Sequence, residues 1–377
     1  MEQESAGPKR KIVEQIKERK EEHVQICLEE KVKARDVTTG LEDVHLVHRA
    51  LPEISWKRID LSTTFFGHVF AAPIIVEAMT GGTEKALEIN AAVAQAVEEL
   101  GLGLGVGSQR IALEDSSLEE TFNVARKKAP NAFLIANLGA PQFAKDYGVK
   151  EALKAVEMIE ADALAIHLNP LQEAVQPEGE TDYEGILEKI GEIVKGVDVP
   201  VIVKETGAGI AADEAKRLEA IGVACIDVAG VGGTSWAAVE YHRARRKGDR
   251  LAQVLGEALW DWGIPTAISI VEVAQSVNLP VIASGGIRSG EDVAKAVALG
   301  ASLTGIALPA LSPALNGSAE VKELLGLLIY QLRSVMFLVG ADSIGKLKAS
   351  SIVLTGKTAE WLRARGFKPE VYATRKT

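Results

Sequence analysis

Between residues 73 and 308 the chain repeats one unit: a short apolar run, a polar or glycine-rich tip, then a stretch with helical periodicity. Pro73 to Ala78 runs into Met79-Thr80-Gly81-Gly82, and Gly103 to Val106 into Gly107-Ser108-Gln109-Arg110. Phe133 to Ala136 ends in Asn137-Leu138-Gly139, and Ala163 to Ile166 in His167-Leu168-Asn169. Val199 to Val203 leads to Lys204-Glu205-Thr206-Gly207, and Ala224 to Val228 to a glycine-rich tip closing with Thr234. Pro280 to Ala283 precedes Ser284-Gly285-Gly286-Ile287-Arg288, and Leu303 to Leu308 is the last run. Near-continuous apolar strands are those covered on both faces. Helices are expected over Ala86 to Leu100, Ser117 to Lys128, Val149 to Ile159, Tyr183 to Val194, Ala211 to Ala220, onward from Ser289, and over Val321 to Val339. Eight such units in about 270 residues have the size of an α/β chain folded as a (β/α)₈ TIM barrel. A doubly wound open sheet is the alternative.

Residues 1–65 precede the barrel as a partly helical extension, 66–345 make the barrel, and 346–377 are expected to be a helical tail packed on it. The connection Ser235 to Leu279, between strands six and seven, is long and carries extra helices around Glu240 and Ser269; insertions of this kind cap barrel mouths. Lys9 to Glu22 is charged on nearly every face, so it is either a solvated helix or a segment ordered on binding.

A formal charge of −10 argues against a nucleic-acid or anionic-membrane binder, so positive charge for an anionic ligand must be gathered locally. No apolar stretch approaches the ~18 residues of a membrane span. Two cysteines, Cys27 and Cys225, cannot make a disulfide framework, and a reducing cytoplasm is the expected home.

In barrels the strand tips converge on one site. The Gly285-Gly286 pair lets backbone approach a ligand, the following helix start offers amides, and Arg288 adds a fork-shaped cation. Gly305 to Leu308 supplies amides for the second half of a phosphate site, with Thr234 adding a hydroxyl. Lys204 projects inward from strand five, where a buried lysine demands an anion: a substrate carboxylate, a Schiff-base carbonyl or an electron-rich ring edge. His167 and Asn169 share a face, followed by Gln172 and Glu173 in a loop stiffened by Pro170. A single carboxylate such as Glu173 suits Mg²⁺ that also takes waters and phosphates. Arg19, Lys20 and His23 are three further groups able to meet phosphate.

With those residues on the page, the chain from about Arg19 to Gly366 resembles the type 2, FMN-dependent isopentenyl-diphosphate isomerases. The carrying motifs are Arg19-Lys20-Glu21-Glu22-His23, Ala78-Met79-Thr80-Gly81-Gly82, Gly107-Ser108-Gln109-Arg110, His167-Leu168-Asn169-Pro170-Leu171-Gln172-Glu173, Gly232-Gly233-Thr234-Ser235-Trp236, Trp262-Gly263-Ile264-Pro265-Thr266 and Ser284-Gly285-Gly286-Ile287-Arg288. The last is common to many phosphate-binding barrels; the N-terminal motif together with the His-to-Glu motif is far more specific, and no motif position departs from the family's pattern. The resemblance implies FMN over the barrel mouth, with Met79, Thr80, Ser108 and Asn137 along its ring and ribityl chain. Lys204 would stand at the ring's N1/O2 edge, and Thr234, Gly285, Gly286, Arg288, Ala307 and Leu308 at its phosphate. Isopentenyl and dimethylallyl diphosphate would meet Arg19, Lys20, His23, Arg110, His167, Asn169 and Gln172, with Glu173 on Mg²⁺ and Trp236 and Glu240 closing the site. It further implies redox-neutral acid-base chemistry of reduced FMN, primed by NADPH or NADH, with Lys204, Gln172 and His167 as the catalytic side chains. A homo-oligomer, tetramer or octamer, is expected.

Three other readings compete. An FMN-dependent 2-hydroxy-acid oxidase on the same barrel wants a histidine base near strand seven, yet the histidines are His23, His45, His48, His68, His167 and His242, none later. An inosine-phosphate dehydrogenase-like enzyme wants a cysteine in the loop after strand six, and Gly230 to Ser235 has none. A non-catalytic phosphate-ligand-binding barrel is the remaining reading.

Overall fold

In the computed structural model, which describes residues 8–375 and their side chains from residue 12 on, eight parallel strands close into a barrel in chain order. They are Ile74–Val76, Gly103–Gly105, Phe133–Gly139, Ala163–His167, Val201–Lys204, Cys225–Asp227, Val281–Ala283 and Leu303–Ile306, and the eighth pairs with the first. Each matches a run expected from the sequence. The first seven residues of the N-terminal extension and the last two of the chain lie outside the described residues.

Because side chains alternate along a strand, every second residue enters the barrel. The lower interior is apolar: Ile75, Phe133, Ile135, Ala163, Ala165, Ile202, Cys225, Ile282 and Leu303 form one buried cluster. A hairpin, Thr63–Phe65 paired with His68–Phe70, plugs that end, its Phe65 and Phe70 packing on Phe133 at ring separations of 5.9 and 5.5 Å. Burying an aromatic ring of this size is worth roughly 1.5–3 kcal/mol. One step further up, the same inward positions turn polar.

The helices end where their caps say. Thr83 caps Glu84–Leu100 by accepting from the Ala86 N–H, and Ser289 with Asp292 makes a capping box on Gly290–Leu299. After strand two the chain departs from expectation: a short helix, Arg110–Glu114, and a 3₁₀ turn precede Glu120–Lys128. The strand-six insertion holds three helices, Trp236–Lys247, Arg250–Ala258 and Thr266–Ala274. The tail expected to be helical also carries a strand. Ile352–Leu354 pairs antiparallel with Val44–Leu46 of the extension, and the boundary drawn after residue 345 falls inside the helix Ile344–Ala349.

The charged N-terminal segment is one helix, Pro8–Glu29, laid beside Trp236–Lys247 and the short helix at Arg110. Ile16 and Ile26 are buried beneath it. It roofs the end of the barrel opposite the hairpin.

Candidate active site

The polar layer at the top of the barrel follows from strand alternation. Two residues above Ile75, Ile135, Ala165, Ile202, Cys225 and Ile282 stand Glu77, Asn137, His167, Lys204, Asp227 and Ser284. In the strand register, His167, Lys204 and Asp227 occupy one row across three neighbouring strands. All but His167 are buried.

Lys204 Nζ lies 3.1 Å from Asp227 Oδ2 and 3.6 Å from Glu77 Oε2, and donates to the Glu205 carbonyl at 2.8 Å. Its partners are thus the protein's own, two carboxyl groups that the sequence reading did not single out. Burial pulls the lysine's pKa down, and Asp227 and then Glu77 more than reverse this. Asp227 also accepts from the Ser284 hydroxyl at 2.6 Å. Glu205 faces away, taking the N–H groups of Thr206 and Gly207 at 2.6 Å, and that of Ala208; burial still raises it to about 7.

His167 Nδ1 sits 2.8 Å from Asn137 Oδ1, which only accepts, so the Nδ1 carries the proton. Burial, then Lys204, Lys20 and Arg19, push its pKa down to about 3. It is a neutral imidazole.

Above this floor opens a cleft with ≈ 1630 Å³ of empty space, continuous with solvent. Of the residues expected at the site, all but Glu240 line it. The roof helix contributes Arg19, Lys20 and His23. Lys20 Nζ donates to the Ser108 carbonyl at 2.7 Å. It is half-buried, enclosed by the cleft walls; that enclosure, with Arg19 beside it, lowers its pKa to about 7. Glu240 has no exposure. It stands behind His23, 2.7 Å from Nε2, and Arg243 holds its other oxygen at 3.2 Å, so it reaches the cleft only through the histidine. Arg243 also grips Glu22 of the roof and Glu178.

Other departures concern Arg110 and the phosphate turn. Arg110 is paired with Glu180 at 3.0 Å, and the Glu180 N–H donates to Glu173 Oε2 at 2.6 Å. The helix after strand seven presents few free amides: those of Arg288 and Ser289 go to Asp292 and that of Gly290 to Gln331. No acceptor among the described residues meets the amide of Ile287 or those of Gly285 and Gly286. These glycines have φ of +98° and +77°, and a Cβ on Gly233 would come within 2.5 Å of the Gly286 nitrogen. No side chain fits in this turn. Arg288, in the same turn, has no carboxylate within ion-pair distance among the described residues, and burial lowers its pKa.

FMN and Mg²⁺ can be tested against these residues. The bare glycine turn with Arg288 fits a phosphomonoester, and Lys204 at the floor fits an electron-rich ring edge. Glu173 Oε1 accepts from Asn169 at 2.8 Å, so the carboxylate is held in place but offers little more than one site. No cluster of three metal-ligating side chains exists among the described residues. Glu173 therefore suits a cation whose remaining ligands are water and phosphate. No helix of the described residues is long and apolar enough to cross a membrane.

The profile of FMN-dependent dehydrogenases matches residues 13–169 and 167–354. Isopentenyl-diphosphate delta-isomerase of Methanothermobacter thermautotrophicus is 51% identical over 96% of this chain and 99% of that one. The Pyrococcus furiosus protein of the same name is 53% identical over 92% and 89%. Among solved structures, a lactate oxidase of Pediococcus acidilactici superposes with a TM-score of 0.65 over 94% of this chain and 96% of its own, at 18% identity. A mandelate oxidase carrying an FMN adduct does so at 0.60 over 84% and 90%, at 21% identity. Those oxidases share the fold.

Proposed function

The chain belongs to the isopentenyl-diphosphate delta-isomerase family, among the FMN-dependent barrels, and we propose that its cleft holds FMN on the floor and an allylic or homoallylic diphosphate under the roof helix. One observation carries this. The cleft has two separate cationic stations, Arg288 with its glycine turn and Arg19 with Lys20, and at each the cations are depressed by burial with no ion-pair partner among the described residues. Two phosphorylated ligands answer that arrangement better than one.

Met79, Thr80, Ser108 and Asn137 would border the flavin ring and ribityl chain, with Lys204 at the N1/O2 edge. Thr234, Gly285, Gly286, Arg288, Ala307 and Leu308 would hold its phosphate. Arg19, Lys20, His23, Arg110 and Asn169 would grip the diphosphate, and Glu173 a bridging Mg²⁺. When bound and reduced by NADPH or NADH, FMN supplies the acid-base centre for moving the double bond without net redox change. The side chains have complementary tasks. The neutral His167 and the amide of Gln172 present no anion to quench a carbocation-like intermediate. The Pro8–Glu29 roof and Trp236 keep water out, while the diphosphate grip sets the reacting carbons in place. The two free cysteines suit a reducing cytoplasm. Exposed Leu251 and Trp262 on the insertion suit contact with a second copy, which light scattering would read as an oligomer.

The deciding assay is anaerobic: isopentenyl diphosphate, Mg²⁺ and chemically reduced FMN, with the double bond followed by NMR. Dimethylallyl diphosphate should form, and should not form with oxidised FMN alone. Peroxide production from lactate or mandelate in air, with no isomerisation, would instead make the chain a hydroxy-acid oxidase.

A further inference from the structure

Glu77 has no part in the function described above, yet it stands in the wall of the cleft and is 6% exposed. We propose that Glu77 is a positioning residue that carries a proton at neutral pH and, with Asp227, holds the Lys204 ammonium against the edge of the bound flavin. This rests on the FMN reading of the cleft.

Space is made for it. In the eighth strand, beside the first, Gly305 sits where any Cβ would overlap Glu77 Oε1. That oxygen is sealed and has no hydrogen-bond partner. The charge count then decides its state. Facing Glu77 are Lys204 on strand five, and Asp227 and Cys225 on strand six, with Asp227 already Lys204's closer partner. One ammonium balances one carboxylate; a second bare carboxylate would be an uncompensated charge in a buried site. Burial, and next Asp227, accordingly push Glu77 up to about 8, against the pull of Lys204. Protonated, Glu77 leaves the Lys204–Asp227 pair neutral overall. Ionised, it adds net negative charge beside an electron-rich ring edge, and flavin binding should oppose that.

Glu77→Gln keeps the shape and the neutral state. In infrared titration of the apoprotein, the wild type should show a carboxylic-acid component that fades as pH rises through about 8, and Glu77→Gln should lack it at every pH. Gly305→Ala, which crowds the same oxygen, should shift its midpoint. FMN affinity, read by fluorescence quenching, should fall above that pH in the wild type, tending toward about tenfold per pH unit, and stay flat in Glu77→Gln. A Glu77→Gln spectrum identical to wild type would overturn the proposal. So would a titrating Glu77 with pH-independent FMN affinity. Failure of every variant to bind FMN would sink the reading of the cleft, with the infrared result still deciding the state of Glu77.

Discussion

The imidazole Nε2 of His23 lies 2.7 Å from Oε1 of Glu240, a carboxylate with no solvent exposure that belongs to the insertion, 217 residues further along the chain. Burial raises the carboxyl's pKa, but His23 and Arg243 outweigh it and hold Glu240 ionised. The roof residue proposed to meet the diphosphate is thus aimed from beneath by a buried carboxylate.

Glu240→Gln should leave the cleft lined as before and lose the charge that orients His23. A hydrogen bond to a charged group contributes about 1.5–3 kcal/mol, so KM for the diphosphate should rise roughly tenfold to a hundredfold with a smaller change in kcat. Because the native pKa is depressed, this stabilisation is present above the unfolded carboxylate's pKa and fades as pH falls. Steady-state kinetics and acid titration of the two proteins check both parts.

Lys20 acts in the same direction as Glu240 but in a higher pH window. With its pKa lowered to about 7, the unfolded chain binds the extra proton between there and the ordinary lysine value. The free protein should gain stability from this group as pH rises across that window. Diphosphate binding at pH 7.5 should take up protons, measurable by calorimetry in buffers of different ionisation enthalpy. Lys20→Met should abolish that uptake.

Lys204→Ala should weaken the fold as well as the activity, since it strands Glu77 and Asp227 without their cation. Loss of one partner from a buried ion pair costs about 3–5 kcal/mol. Thermal unfolding should drop accordingly, isomerisation should vanish, and adding Asp227→Asn should restore much of the stability but none of the activity.

His167, with its pKa near 3, should remain neutral throughout the working range. The unfolded chain binds its proton between there and the ordinary histidine value, so this group makes the fold less stable as pH drops through that interval. Nitrogen NMR of the imidazole should show one tautomer, protonated at Nδ1, from pH 5 to 8.

The barrel was legible because strands buried on both faces leave long apolar runs, and their tips were read correctly as the place where polar groups gather. Glu77 and Asp227 were missed because each sits inside an apolar run, Ile-Ile-Val-Glu-Ala and Cys-Ile-Asp-Val, just below the tip. Counting two residues up from Ile75 and Cys225 would have found both. The roof helix was half legible for a related reason. Its inward face carries Arg19, Lys20 and His23 where a core helix would carry leucines, so no apolar stripe marked its course to Glu29. The hairpin Thr63–Phe70 and the strand Ile352–Leu354 are short and pair only with each other or with distant segments, which local pattern does not disclose.

The seam between strand Leu303–Ile306 and strand Ile74–Val76 has a bearing on biosynthesis. While the chain is still being made, the first strand must wait for a mate that emerges some 230 residues later, its backbone edge open to any stray strand nearby. Contacts this distant in sequence are slow to form. Val44–Leu46 waits longer still, because its mate Ile352–Leu354 follows it by some 310 residues. A stop codon shortly before residue 350 would therefore release a chain whose ring can shut but whose N-terminal arm has lost its anchor strand.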